Sequence, residues 1–204
     1  MLLMPGLWQG AAAATPRAPV VLVVGDSLSA EYGLQRGTGW VALLEKKLAA
    51  EKPAARVINA SISGDTTSGG RSRLAALLKQ HQPTHVIIEL GGNDALRGLP
   101  LTMSRDNLQA MARAAKAAGA KVMLVGMQVP PNYGPRYTQD FSAMFGSVAQ
   151  AEGAALVPFL LAGVADAPNA ERLFQADRIH PTAEAHPTIL ANVWPVFSRW
   201  LPLR

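Results

Sequence analysis

The 204-residue chain contains no cysteine. That absence excludes disulfides, thiolate metal sites and a cysteine nucleophile. Aromatic residues make up 6% and charged residues 16% of the chain. Although the net charge is +5 and the pI near 9.9, there is no run of basic residues. Arg71, Arg73, Lys79, Arg97, Arg105, Arg113, Lys116 and Lys121 are scattered, without the interleaved aromatics of a nucleic-acid groove. A solvated basic surface is the better reading, and nucleic acid is not an expected partner. No stretch reaches the ~18 apolar residues of a membrane span, and neither an internal repeat nor a low-complexity linker is present beyond an alanine-rich start.

What the chain does have is 49% hydrophobic residues, enough for one sizeable core at this length. We expect a single domain over residues 15–204. Ahead of it, Met1–Ala14 is apolar and runs into small residues, resembling the h-region and A-x-A site of a secretory signal but with no Lys or Arg in front. Cleavage is expected after Ala13 or Ala14, which implies a periplasmic or secreted chain; an apolar N-terminal tail is the plainer alternative. From Val20 onward strand and helix patterns alternate, predicting βαβ units and a parallel sheet. Candidate strands are Val20–Val24, Arg56–Asn59, His85–Leu90, Lys121–Gly126 and Ala155–Val157. Candidate helices are Trp40–Glu51, Gly70–His81, Ser104–Ala118 and Tyr137–Glu152, with a last one from about Pro187 that Pro195 should kink. Ser104, three residues before Asn107, reads as a helix cap. The expected fold is α/β, a three-layer α/β/α sandwich around a five-stranded parallel sheet.

The chemistry gathers where strands end. Val20-Val-Leu-Val-Val-Gly-Asp-Ser-Leu-Ser29 is a continuous apolar run that stops at Gly25 and presents Asp26 and Ser27. In open α/β sheets that carboxyl edge is where ligands bind. The second strand leads into Asn59-Ala-Ser-Ile-Ser-Gly-Asp-Thr-Thr67, the third into Gly91-Gly-Asn-Asp94, and near the carboxyl end stands Asp177-Arg-Ile-His-Pro181. A serine becomes a nucleophile when a histidine takes its proton, and that histidine needs a carboxylate to fix its tautomer. Ser27, His180 and Asp177 fit those roles. The Ser27 and Gly64 amides and the Asn93 carboxamide fit as donors to a developing oxyanion. Gly-Asp-Ser alone is more often a turn, and Asp-x-x-His alone is weak. The four blocks in this order carry the reading.

This ordered set resembles the SGNH, or GDSL, family of serine hydrolases, whose four eponymous residues match Ser27, Gly64, Asn93 and His180. Further likeness to its secreted bacterial multifunctional esterases, of the thioesterase I, lysophospholipase or arylesterase type, rests on Glu89-Leu-Gly-Gly-Asn-Asp-Ala-Leu-Arg-Gly98, Pro131-Asn-Tyr-Gly134 and Ile179-His-Pro181. The resemblance implies a flavodoxin-like fold, hydrolysis of small-molecule acyl esters and thioesters, no metal or other cofactor, and a loop at Ala95–Leu101 that helps to close on the acyl chain. Two positions depart from it: Glu31, where close relatives carry a small residue, and Arg178, where a glycine is common. A carbohydrate O-acetylesterase is the rival among enzymes, and a binding module without turnover the rival outside them. A binding module should lack one of the set, and none is missing here.

Asp26, Asp94, Leu96, Leu99, Pro131, Tyr133 and Ile179 are the candidate substrate contacts. Each has a plainer reading. Asp26 and Asp65 orient loops by accepting backbone N–H bonds, and Asp94 braces the Asn93 loop. Leu96, Leu99, Leu101 and Met103 either line an acyl groove or pack the loop onto the domain. Pro130, Pro131 and Tyr133 form a rigid rim with or without substrate contact. His81, His85 and His186 have no motif around them and read as surface or helix-end residues.

Overall fold

A computed structural model describes residues 17–201. The expected signal segment and its cleavage site lie outside them. Five strands, β1 (Val20–Gly25), β2 (Arg56–Asn59), β3 (His85–Glu89), β4 (Lys121–Val125) and β5 (Ala155–Val157), form one parallel sheet in the order β2-β1-β3-β4-β5. Every residue of β1 and β3 is buried, because these two central strands are covered on both faces. Continuous Val, Ile and Leu, without alternation, is the pattern such burial demands.

The helices divide between the two faces. Helix α1 (Trp40–Glu51) packs against the last helix, α7 (His186–Trp200). Across the sheet α2 (Thr67–His81) packs on α4 (Leu101–Ala117), and α4 on α5 (Pro135–Glu152). Two short helices, α3 (Gly92–Leu96) and α6 (Ala170–Leu173), complete the set. None of the described helices is long and apolar enough to cross a membrane.

The chain leaves β1 through α1 toward β2 on one side, and leaves β3 through α4 toward β4 on the other. The connections thus diverge between β1 and β3, and a crevice opens at their carboxyl ends. Ser27 follows β1 by two residues and Asn93 follows β3 by four. Topology alone brings those two blocks together.

Three expectations are corrected. Ser104 does not cap a helix: α4 starts at Leu101, and Ser104 is fully buried inside it. His85 is neither a surface nor a helix-end residue, and His186, although it opens α7, is not at the surface. His85 lies in β3, 8% exposed, edge-on to Trp200 at 4.6 Å. His186 is 1% exposed, and its Nδ1 accepts the Trp40 N–H at 2.9 Å. Burial first lowers both pKa values to about 4, assisted at His85 by Lys121 and Lys52.

Candidate active site

Beyond β1 the backbone turns tightly. The Asp26 carbonyl accepts from Ser29 N (3.2 Å) and Ala30 N (2.9 Å), while its Oδ1 accepts from Leu28 N at 3.0 Å. From this turn the Ser27 hydroxyl meets His180 Nε2 at 2.9 Å. His180 Nδ1 stands 2.6 Å from Asp177 Oδ2. With Asp177 ionised, Nδ1–H donates to it and Nε2 is left to accept the Ser27 proton.

Asp177 and His180 come from one turn of loop. Asp177 Oδ1 accepts from the backbone N–H groups of His180 (3.0 Å) and Ile179 (2.9 Å). The His180 backbone bond, followed by the imidazole bond and that of Ile179, lowers the Asp177 pKa to about 2. The turn requires a positive φ, +59° at Arg178. That is the physical reason a glycine suits this position. Gln175 fastens the loop to the nucleophile turn: its Nε2 donates to Tyr32 O (2.9 Å) and Pro181 O (3.1 Å), and its N to His180 O at 2.8 Å. The Tyr32 ring lies against the imidazole with centroids 4.3 Å apart.

The donor side is equally specific. Neither the Ser27 nor the Gly64 N–H has an acceptor among the described residues. Gly64 has φ +79°, and a Cβ there would meet nothing closer than the Arg97 guanidinium at 3.7 Å. Its conformation, more than crowding, calls for glycine. Arg97 Nη2 holds the Gly64 carbonyl at 2.8 Å. The Asn93 carboxamide nitrogen is engaged twice, to Asp26 Oδ2 at 3.0 Å and to the Asp65 carbonyl at 2.9 Å. An amide nitrogen has two hydrogens, so both are spent.

Beneath lies Glu89, a residue given no role from the sequence. It is fully buried at the end of β3, in register with Gly25 of β1. Its Oε2 accepts from the Ser29 hydroxyl (2.7 Å) and Asp26 N (3.4 Å), and the Trp40 indole N–H donates to Ser29 Oγ at 3.2 Å. Its Oε1 has no hydrogen-bond partner among the described residues. A Cβ at Gly25 would approach Glu89 Oε2 and Ser29 Oγ to 2.8 Å, so a glycine ends this strand to make room for a carboxyl. Burial, then the Asp26 carboxyl, raise the Glu89 pKa well above the carboxylate range. Burial likewise lifts Asp26 to about 6, opposed by the Leu28 N–H, His180 and Asn93. One signal was present: an acid ending the otherwise apolar run Val86-Ile-Ile-Glu89 must find partners inside the sheet.

The other expected contacts divide. Asp26 and Asp94 are 2% and 1% exposed, and their oxygens are taken by protein donors. Asp94 accepts from Thr67 N (2.9 Å), Thr67 Oγ1 (2.5 Å) and Ser104 Oγ (3.0 Å), bracing α2 and α4. Leu96 and Ile179 are exposed beside Asn93 and His180, and Leu99 is half-buried. Pro131 is exposed on a 3-10 turn with half-buried Tyr133, which stacks on Tyr137 at 5.9 Å. Tyr133 also borders a recess of about 430 Å³ with Tyr137 and Asp140. The stretch 95–101 is not one loop: α3 ends at Leu96 and α4 begins at Leu101. Glu31 adopts φ +60° and its Oε1 accepts from Gly37 N (2.9 Å) and Gly39 N (2.8 Å). It closes the 31–39 loop and borders a 540 Å³ recess with Arg36 and Glu45. Among the described residues no three His, Asp or Glu converge to hold a metal ion.

A serine, a histidine and an aspartate in one hydrogen-bonded chain, at the carboxyl edge of a parallel α/β sheet, have the arrangement of a serine hydrolase. Residues 23–187 match the GDSL-like Lipase/Acylhydrolase family, and the chain belongs to it. It is 54% identical over 181 residues to esterase TesA of Pseudomonas aeruginosa, covering 89% of each chain. It is 42% identical over 172 residues to thioesterase 1/protease 1/lysophospholipase L1 of Escherichia coli K12, covering 84% of this chain and 80% of the relative. The crystal structure of TesA superposes with a TM-score of 0.85 over 89% of this chain and 99% of that one.

Proposed function

We propose that the chain is a serine esterase that hydrolyses acyl esters and thioesters through an acyl-enzyme. The observation that carries this reading is the continuous hydrogen-bonded path from Ser27 Oγ through His180 to Asp177. Ser27 Oγ attacks the acyl carbonyl carbon as its proton passes to His180 Nε2. Asp177 keeps the proton on Nδ1 and stabilises the imidazolium. The carbonyl π pair moves onto oxygen, which the free N–H groups of Ser27 and Gly64 receive. Asn93 joins by exchanging one of its two acceptors for this oxyanion. Collapse expels the alcohol or thiol, protonated by His180. Water attacks the acyl-Ser27 ester by the same route in reverse and releases the acid.

The substrate class is supported by the relatives' names, which include esterase, thioesterase, lysophospholipase and arylesterase. We also propose that residues 15–204 act as one domain, exported after cleavage near Ala13 or Ala14. The test is Ser27→Ala assayed on p-nitrophenyl esters of increasing chain length. Turnover should fall at least ~10³-fold, as for loss of a triad nucleophile, while the fold is kept. Undiminished turnover by the folded variant would overturn the assignment. An activity confined to acetyl esters would favour a deacetylase.

A further inference from the structure

The two free amides of the site, Ser27 N–H and Gly64 N–H, stand on different loops, one after β1 and one after β2. For both to meet one oxygen, those loops must be held against each other beyond the end of the sheet. The pairing of β1 with β2 runs on a little past the strands, with Ala60 N donating to Val23 O at 2.9 Å and Ile62 N to Gly25 O at 3.0 Å. Beyond Ile62 no backbone-to-backbone bond joins the two loops among the described residues.

Arg73, in the second turn of α2, bridges them. Its Nε donates to Asp65 Oδ2 at 2.8 Å, its Nη1 to the Ala60 carbonyl and its Nη2, more loosely, to the Gly25 carbonyl at 3.4 Å. Gly25 precedes Ser27 by two residues, and Ala60 opens the loop that carries Gly64. Asp65 follows Gly64 directly, and its carbonyl receives Asn93 Nδ2 at 2.9 Å. The side chains of Arg73 and Asp65 are 19% and 11% exposed. The other Asp65 oxygen, Oδ1, accepts from Thr66 N at 3.0 Å. A Cβ at Gly69 would come within 1.8 Å of that oxygen, so a poor helix former in the first turn of α2 leaves room for the carboxylate. A covered ion pair adds little stability over apolar side chains of the same volume. What a guanidinium adds is a planar fork that fixes several acceptors at set spacing.

We propose that Arg73 is a positioning residue of the oxyanion hole. It registers the Ser27 and Gly64 loops, and through Asp65 the Asn93 carboxamide, against α2. The proposal rests on the acyl-hydrolase reading, in which those three groups receive the oxyanion.

Two substitutions separate orientation from charge. Arg73→Lys keeps the cation but offers one ammonium to three acceptors, and Arg73→Ala removes both. For a p-nitrophenyl ester, kcat should fall about 10–100-fold in each with KM within about twofold, because displaced donors weaken transition-state binding and leave the ground state alone. Reaction of Ser27 with a fluorophosphonate should slow by a similar factor. Guanidinium chloride at about 50 mM, far below denaturing concentrations, should raise kcat of Arg73→Ala at least ~5-fold, while sodium chloride should not. Circular dichroism and thermal unfolding verify that each variant is folded at the assay temperature. If neither folds, Asp65→Asn, which leaves one acceptor oxygen for Thr66 N–H and Arg73, should show the same fall in kcat at constant KM. Wild-type kcat in a folded variant overturns the proposal and leaves Arg73 a packing role. A loss carried by KM overturns it in favour of a substrate contact, and so does a loss in Arg73→Ala that guanidinium leaves untouched. Where the wild type shows Ser27-dependent hydrolysis, these results remove the positioning role alone; a wild type without it removes the acyl-hydrolase reading and the role together.

Discussion

Asn93 has two N–H bonds and in the resting site spends both, on Asp26 and on the Asp65 carbonyl. On the proposed mechanism Asp26 is a positioning residue, since it holds the carboxamide of Asn93, the proposed oxyanion donor. Asp26→Asn has one acceptor oxygen for two donors, Leu28 N–H and the Asn93 carboxamide. We expect kcat for a p-nitrophenyl ester to fall about 10–100-fold with KM changed little, the pattern of an interaction made in the transition state. The wild-type ionisation near 6 contributed by this carboxyl should also leave the pH profile. Steady-state kinetics from pH 5 to 9 checks both. The candidates Ser27, Gly64, Asn93, Asp177 and His180 were legible as a set because each stands in a short polar block after a strand or in the Asp-x-x-His turn. The division of labour among carboxylates was not. Asp26, Asp94 and Glu89 are told apart by burial and by which donors reach them, and those donors, Leu28, Thr67, Ser104 and Ser29, lie 2 to 60 residues away.

Elements explain where sequence periodicity misplaced boundaries. Ser104 and Asn107 look like a cap pair but are i,i+3 neighbours on one helix face, turned inward. Ser104 donates to Asp94, and Asn107 Nδ2 to Thr67 Oγ1 at 3.1 Å. The first turn of α2, the short α3 and the first turns of α4 are thus clasped around one buried carboxylate. A short polar residue reads as a helix start unless its tertiary partner is known, so the true start at Leu101 was hidden. Ser104→Ala should cost about 1–3 kcal/mol in urea unfolding, the scale of removing one partner of a buried hydrogen bond. Activity should fall less than stability suggests, since Asp94 keeps both bonds to Thr67.

For the whole molecule, the parallel sheet was legible from the apolar runs of β1, β3 and β4, which have no polar face to alternate. The crevice between β1 and β3 depends on strand order, which periodicity does not contain. Nor does a lone histidine disclose its burial. His85 and His186 are held neutral, with pKa values near 4 against 6.5 when unfolded. Between pH 6.5 and 4 the unfolded chain binds more protons at these sites, so their contribution to stability is lost as pH falls through that window. Asp26 and Glu89, with raised values, act in the opposite sense. Comparison with His186→Asn, whose amide oxygen can still accept the Trp40 N–H, isolates one histidine. Thermal unfolding should show the variant losing less stability than the wild type from pH 6.5 to 4.

The proposed hydrolysis depends on Ser27 being a nucleophile activated by His180. A fluorophosphonate followed by peptide mass spectrometry tests this most directly. The wild type should carry one adduct, on Ser27, with stoichiometric loss of esterase activity, and His180→Ala should label at least ~10²-fold more slowly, the scale of lost general-base assistance. An adduct elsewhere, or labelling of Ser27 at the wild-type rate without His180, would contradict it.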